Sequence, residues 1–113
     1  MKKTLILLAV FSLKVDASHP YAEKIADAIY RVEGGANTRY PYGVKGIFTI
    51  PPRQVCLNTI NNNYTRYLTS GQAPYIGFLD YLAQRYCPSS VDPVGHVNWS
   101  KNVRSIMKGK NNE

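Results

Sequence analysis

Apolar and polar positions alternate along the chain in a pattern that predicts four helical segments. From Tyr21 onward, Ala22, Ile25, Ile29 and Val32 recur at the spacing of one helix face, while Glu23, Lys24, Asp27 and Arg31 fill the other. Gly34-Gly35 ends this first helix. Residues 36–52 are rich in proline, glycine and tyrosine and predict a structured loop, with Gly43 to Ile50 as the segment able to form a short hairpin around Gly46. After Pro51-Pro52, a stripe of Val55, Cys56, Ile60, Tyr64 and Tyr67 predicts a second helix ending at Ser70-Gly71. A third is expected from about Pro74 to Tyr86, burying Tyr75, Phe78, Leu79, Leu82 and Tyr86. Cys87-Pro88 stops it, a loop from Ser89 to His96 follows, and a last helix turns Trp99, Val103, Ile106 and Met107 inward.

The fold class read from this pattern is mainly α, one small helical domain with a loop or short hairpin after the first helix. Ahead of it stands a different kind of segment. Met1-Lys2-Lys3 leads into an apolar run from Leu5 to Leu13, too short to span a bilayer, and Val15-Asp16-Ala17 supplies a break. Residues 1–17 therefore read as a signal peptide and residues 18–113 as a single exported domain, periplasmic or secreted. No other stretch has the roughly 20 apolar residues of a membrane helix. In an oxidising compartment Cys56 and Cys87 are the only available pair, and the reading expects them to form one disulfide between the second and third helices.

Charge narrows the partner. Taking Lys2, Lys3, Lys14 and Asp16 from the fourteen basic and seven acidic residues leaves eleven and six, a net charge of +5 for the exported part. Cell wall, lipid headgroups and nucleic acid are all anionic. The basic residues are spread over every predicted element, so no single face announces a nucleic-acid or membrane surface. His19 and His96 have no metal-ligand spacing around them, and no phosphate loop, dinucleotide fingerprint or serine elbow is present, so neither a metal nor a cofactor is implied. Asn63-Tyr64-Thr65 and Asn98-Trp99-Ser100 match glycosylation sequons.

Among the few acids, Glu33 differs from the rest. It closes the series Ala26, Ile29, Tyr30, Glu33 at the margin of the buried face, where partial burial and the negative end of the helix dipole both disfavour the charged form, a condition suited to a general acid. A solvated glutamate before an ordinary glycine C-cap accounts for the same pattern.

A helix ending in Glu33-Gly34-Gly35, followed by Tyr40-Pro41-Tyr42-Gly43-Val44-Lys45, resembles the lysozyme-like superfamily, especially soluble lytic transglycosylases and goose-type lysozymes. Cys56-Leu57-Asn58-Thr59-Ile60, Arg85-Tyr86-Cys87-Pro88 and Asp92-Pro93-Val94-Gly95 with Asn98-Trp99 and Asn102-Val103 extend the likeness to a small, exported, cysteine-bridged branch of such proteins. The chain departs from the usual pattern at Gly34, where serine is common, and at Lys45-Gly46, where Met-Gln is common. The resemblance implies a lysozyme-like helical domain, Glu33 as catalytic acid, and Gly43-Val44 as the start of the segment lining a saccharide groove.

Two-carboxylate glycosidases place a second acid about 5–10 Å from the first. No other acid in this sequence is a convincing partner, so the expected chemistry uses Glu33 alone, as acid and then as base, on the MurNAc-GlcNAc bonds of peptidoglycan glycan strands. Tyr30, Tyr40 and Tyr42 are candidates for stacking on sugar rings, although simple packing is the favoured account of any single one of them. Arg39 and Lys45 are candidates for anionic groups of the substrate. A protein of this size is expected to act as a monomer. The competing reading is a non-catalytic cationic module that binds wall glycan.

Overall fold

The computed structural model describes residues 17–46 and 48–111. Apart from Ala17, the expected signal peptide lies outside the described residues. Four helices follow one another: α1 (Ala22–Val32), α2 (Pro52–Thr69), α3 (Phe78–Tyr86) and α4 (Pro93–Asn111). Two single turns of 3-10 helix, Gly35–Asn37 and Pro41–Gly43, occupy the connection after α1. That is a structured loop without the alternative hairpin: among the described residues no strand forms, and the consecutive left-handed residues Tyr42 and Gly43 wind the chain instead of extending it.

Helix α1 packs against both α2 and α4, and α3 closes the other side of that pair. The core follows the stripes the sequence predicts. Ile25 and Ile29 from α1, Ile60 from α2, Leu82 from α3 and Val103 from α4 are essentially inaccessible to solvent. Ala26, Ala28 and Ala83 are buried among them, and their small side chains let the helix backbones approach. Each fully buried aliphatic side chain contributes about 1.5–3 kcal/mol relative to exposure, so this cluster is the main source of stability.

Three boundaries or contacts differ from expectation. Helix α3 begins at Phe78, with Gly77 before it in an extended conformation. Tyr75, expected on the buried face, is therefore 85% exposed in the preceding turn. The Tyr67 hydroxyl holds that turn, 2.6 Å from the Ile76 carbonyl and 3.1 Å from that of Ala73. Helix α4 starts at Pro93, inside the expected loop, because Asp92 caps it. Its Oδ1 accepts the Gly95 N–H at 3.0 Å, its carbonyl accepts that of His96 at 2.9 Å, and Pro93 supplies a preset first turn.

The third difference concerns the expected disulfide. Cys56 and Cys87 are both free. The register of α2 against α3 brings Tyr86 opposite Cys56, with the phenol oxygen 3.6 Å from Sγ. Successive helical side chains diverge by about 100°, so a neighbour of Tyr86 must point elsewhere. Cys87, just past the helix end, turns its sulfur toward Gly95, where an added Cβ would stand 3.0 Å away.

Candidate active-site cleft around Glu33

Glu33 is the residue that ends α1. Its N–H still bonds the Ile29 carbonyl at 2.9 Å, and the chain then reverses through Gly34, whose φ of 112° is a left-handed conformation. A side chain at Gly34 would also collide with Thr38, 2.9 Å from an added Cβ. The glycine after the glutamate thus serves the reversal, which brings the loop back over the end of α1.

The returning loop builds one wall of a cleft of about 370 Å³. Tyr42, Gly43, Val44, Lys45, Gly46 and Phe48 form that wall, Glu33 lies at its base, and Val55 and Thr59 from α2 with Arg85 and Tyr86 from α3 complete it. Gly43 has φ 72° and lies directly against the acid, for an added Cβ would stand 3.3 Å from Glu33 Cδ and 3.4 Å from Oε1. Tyr42 adopts φ 61° without being glycine, a conformation that costs on the order of 1–2 kcal/mol. Two contacts hold it there. Its ring packs on Tyr30 with centroids 5.0 Å apart, and its hydroxyl accepts a hydrogen bond from Arg53 Nη1 at 3.2 Å.

Arg53 is in turn fixed by Asp27, 2.7 Å away, with Glu23 further out at 3.8 Å. The hydrogen bonds to the Tyr42 hydroxyl and to Asp27 hold the guanidinium well above its ordinary pKa, so it stays charged under all relevant conditions. The remaining described acids also have structural partners outside the cleft: Asp80 meets Arg104 at 3.5 Å and Asp92 caps α4. Among the described residues Glu33 is the sole carboxylate on the cleft wall.

Behind Glu33 stands an aromatic support. Trp99 Nε1–H donates to Glu33 Oε2 at 3.1 Å across 66 residues of sequence. The indole is 6% exposed and stacks on Tyr86, centroids 4.9 Å apart and planes 9° from parallel. Burial pushes the Tyr86 phenol far above its ordinary pKa, reinforced by the Cys56 thiol beside it, and burial likewise raises Cys56. Both remain neutral, leaving a rigid, uncharged backing that holds one carboxylate oxygen while the other faces the Gly43 side.

The structure gathers Glu33, Tyr42, Gly43, Val44 and Lys45 into this cleft. It does not gather Tyr30 or Tyr40. Tyr30 supports Tyr42 from outside the cleft, and Tyr40 lines a separate surface depression with Arg39, its ring 5.9 Å beneath the Lys45 ammonium. Sequence reasoning missed Trp99, Tyr86 and Arg85 as parts of the site. Trp99 carried a usable signal, because a buried indole N–H needs an acceptor. The glycosylation sequons lie in helices, where Asn63 is buried and spends its amide N–H on the Thr59 carbonyl at 2.8 Å, and where Trp99 and Ser100 are buried. Among the described residues no helix is long and apolar enough to cross a membrane. Comparison of the chain with protein-family models, with curated proteins and with solved structures returns no match.

Proposed function

We propose that this protein is a lysozyme-like enzyme that cleaves the glycan strands of peptidoglycan, most consistently as a lytic transglycosylase. The observation that carries the reading is the cleft itself: a helix-terminal glutamate as sole described acid, roofed by the Tyr42-Gly43-Val44 segment through the close approach of Gly43. This is the relation between acid and groove that the resemblance to lytic transglycosylases and goose-type lysozymes implies.

In the proposed reaction Glu33 gives its proton to the glycosidic oxygen between MurNAc and GlcNAc, and the bond to the muramic anomeric carbon breaks. The substrate's own acetamido group stabilises the developing cation, in place of a second enzyme carboxylate. Glu33, now the base, takes the proton of the muramic 6-hydroxyl as that oxygen closes on the anomeric carbon. The proton returns to Glu33, and the product is an anhydro sugar with no water consumed. If Glu33 activates water instead, the same site yields a lysozyme. Trp99 positions the carboxylate throughout, and Tyr42 and Phe48 offer ring faces at the cleft wall.

A glycan-binding module without catalysis is the second reading. The Trp99 hydrogen bond favours it to the extent that a purely structural carboxylate would make the same contact. Mass analysis of peptidoglycan digested with wild-type and Glu33→Gln protein separates the two. Anhydro-muropeptides from the wild type, reduced at least about a hundredfold in the folded variant, are expected. Equal digestion by both proteins would remove Glu33 from the mechanism, and binding without digestion by either would establish the module.

A further inference from the structure

We propose that the loop between α1 and α2 carries, on the face turned away from Glu33, a docking surface for an anionic lipid bilayer. The inference stands apart from the reading of the cleft, since it needs neither a glycan nor a reaction.

Basic residues are spread along the whole chain, but acids are not. None occurs between Glu33 and Asp80, whereas Arg39, Lys45, Arg53 and Arg66 all fall in that stretch. Arg53 is spent on Asp27 and Glu23. Arg39 and Lys45 are exposed, and among the described residues neither stands within ion-pair distance of a carboxylate. The Lys45 ammonium lies 5.9 Å from the centre of the Tyr40 ring, a contact that leaves its full positive charge in place.

Folding of the loop sets these two cations around a depression of about 440 Å³ together with Tyr40, Phe48 and Ile50. Among the described residues no acid lines it. The apolar side chains are open to water: Phe48 is 53% exposed, Tyr40 and Ile50 39% each. None of the three belongs to the hydrophobic core or to the partly buried layer around it. Exposed aromatic and aliphatic tips beside unpaired cations form an interfacial anchor. The tips enter the boundary between headgroups and acyl chains, while guanidinium and ammonium stay among the anionic headgroups. A hydrophilic acidic polymer would satisfy the cations and leave Phe48 and Ile50 in water. Val44, Lys45, Gly46 and Phe48 line both this depression and the cleft, so docking would hold the cleft beside the bilayer.

The test is sedimentation of the exported protein, its mature amino terminus fixed by mass analysis, with vesicles of phosphatidylcholine alone or mixed with phosphatidylglycerol. Partition onto the anionic vesicles should exceed that onto phosphatidylcholine at least about tenfold at low salt and fall as salt is added. Arg39→Gln and Lys45→Gln should each weaken it about fivefold. Ile50→Ser should weaken it about threefold, as expected for a side chain with part of its surface still to bury, and Ile50→Val should keep most of it. Arg66→Gln removes an exposed charge on α2 outside the depression and should change partition less than about twofold. Each of these side chains is exposed, so circular dichroism melts of the variants should match wild type. Equal partition onto both vesicle types, partition onto neither at low salt, or an Arg66→Gln loss as large as that of Arg39→Gln overturns the proposal. Retention on polyglutamate that depends on Arg39 and Lys45, with vesicle binding indifferent to Ile50→Ser, overturns it in favour of an acidic polymer. Selective vesicle binding by a protein that cuts no glycan keeps this inference and removes the proposed reaction, and cutting without vesicle binding does the reverse.

Discussion

Gly43→Ala tests the link between backbone conformation and the acid, and Gly71→Ala supplies its internal reference. Both glycines are left-handed, with φ of 72° and 83°. An alanine in that conformation costs about 1–2 kcal/mol, offset in part, and equally at the two sites, by the reduced entropy of the unfolded chain. Their surroundings differ. A Cβ at position 71 meets nothing within 4 Å, whereas at position 43 it stands 3.3 Å from Glu33 Cδ, close enough that the carboxyl group must give by a few tenths of an ångström. That movement strains the 3.1 Å bond from Trp99, whose full loss would cost about 1.5–3 kcal/mol. Gly43→Ala should therefore be less stable than Gly71→Ala by up to about 1 kcal/mol in urea unfolding, a fraction of that bond. If Glu33 is the acid of the proposed reaction, displacing it by even part of an ångström should lower glycan cleavage at least about tenfold, while Gly71→Ala keeps the wild-type level. Equal destabilisation of the two variants together with full activity in Gly43→Ala would refute the argument that residue 43 sets the position of Glu33.

Two further outcomes follow from the packing. His19 is wedged between the face of Phe78, 4.9 Å away, and the edge of Tyr64, 4.6 Å away, and its Nδ1 accepts the Tyr21 N–H at 3.0 Å. Desolvation holds its pKa below the ordinary value, so the unfolded chain binds the proton more readily than the folded one. The stability that neutral His19 contributes is complete above about pH 6.5 and is lost as the pH falls through and below that value, so thermal melts should decline on acidification more steeply in wild type than in His19→Phe. For the cysteines, alkylation of the denatured protein without reductant should label both Cys56 and Cys87. In the folded protein Cys87 should react first, because Cys56 is fully buried and burial raises its thiol pKa. A single unlabelled, cystine-linked peptide pair would contradict the geometry.

What the sequence determined by itself is the set of helices, their buried faces and the position of Glu33 at the end of α1. These are local properties: apolar spacing selects a face, and Gly34 or Pro52 marks an end within a turn. The departures arose where a different local signal competed, as Gly77 did against the apolar run beginning at Tyr75 and as the Asp92 cap did against the expected loop. Tertiary structure alone decided which atoms meet between helices. Tyr86 and not Cys87 faces Cys56 because one residue of helical register turns a side chain by about 100°, a difference that periodicity over a whole stripe does not resolve. For the same reason the Trp99 indole reaches Glu33, and Arg85 comes to line the cleft, only once α3 and α4 have docked.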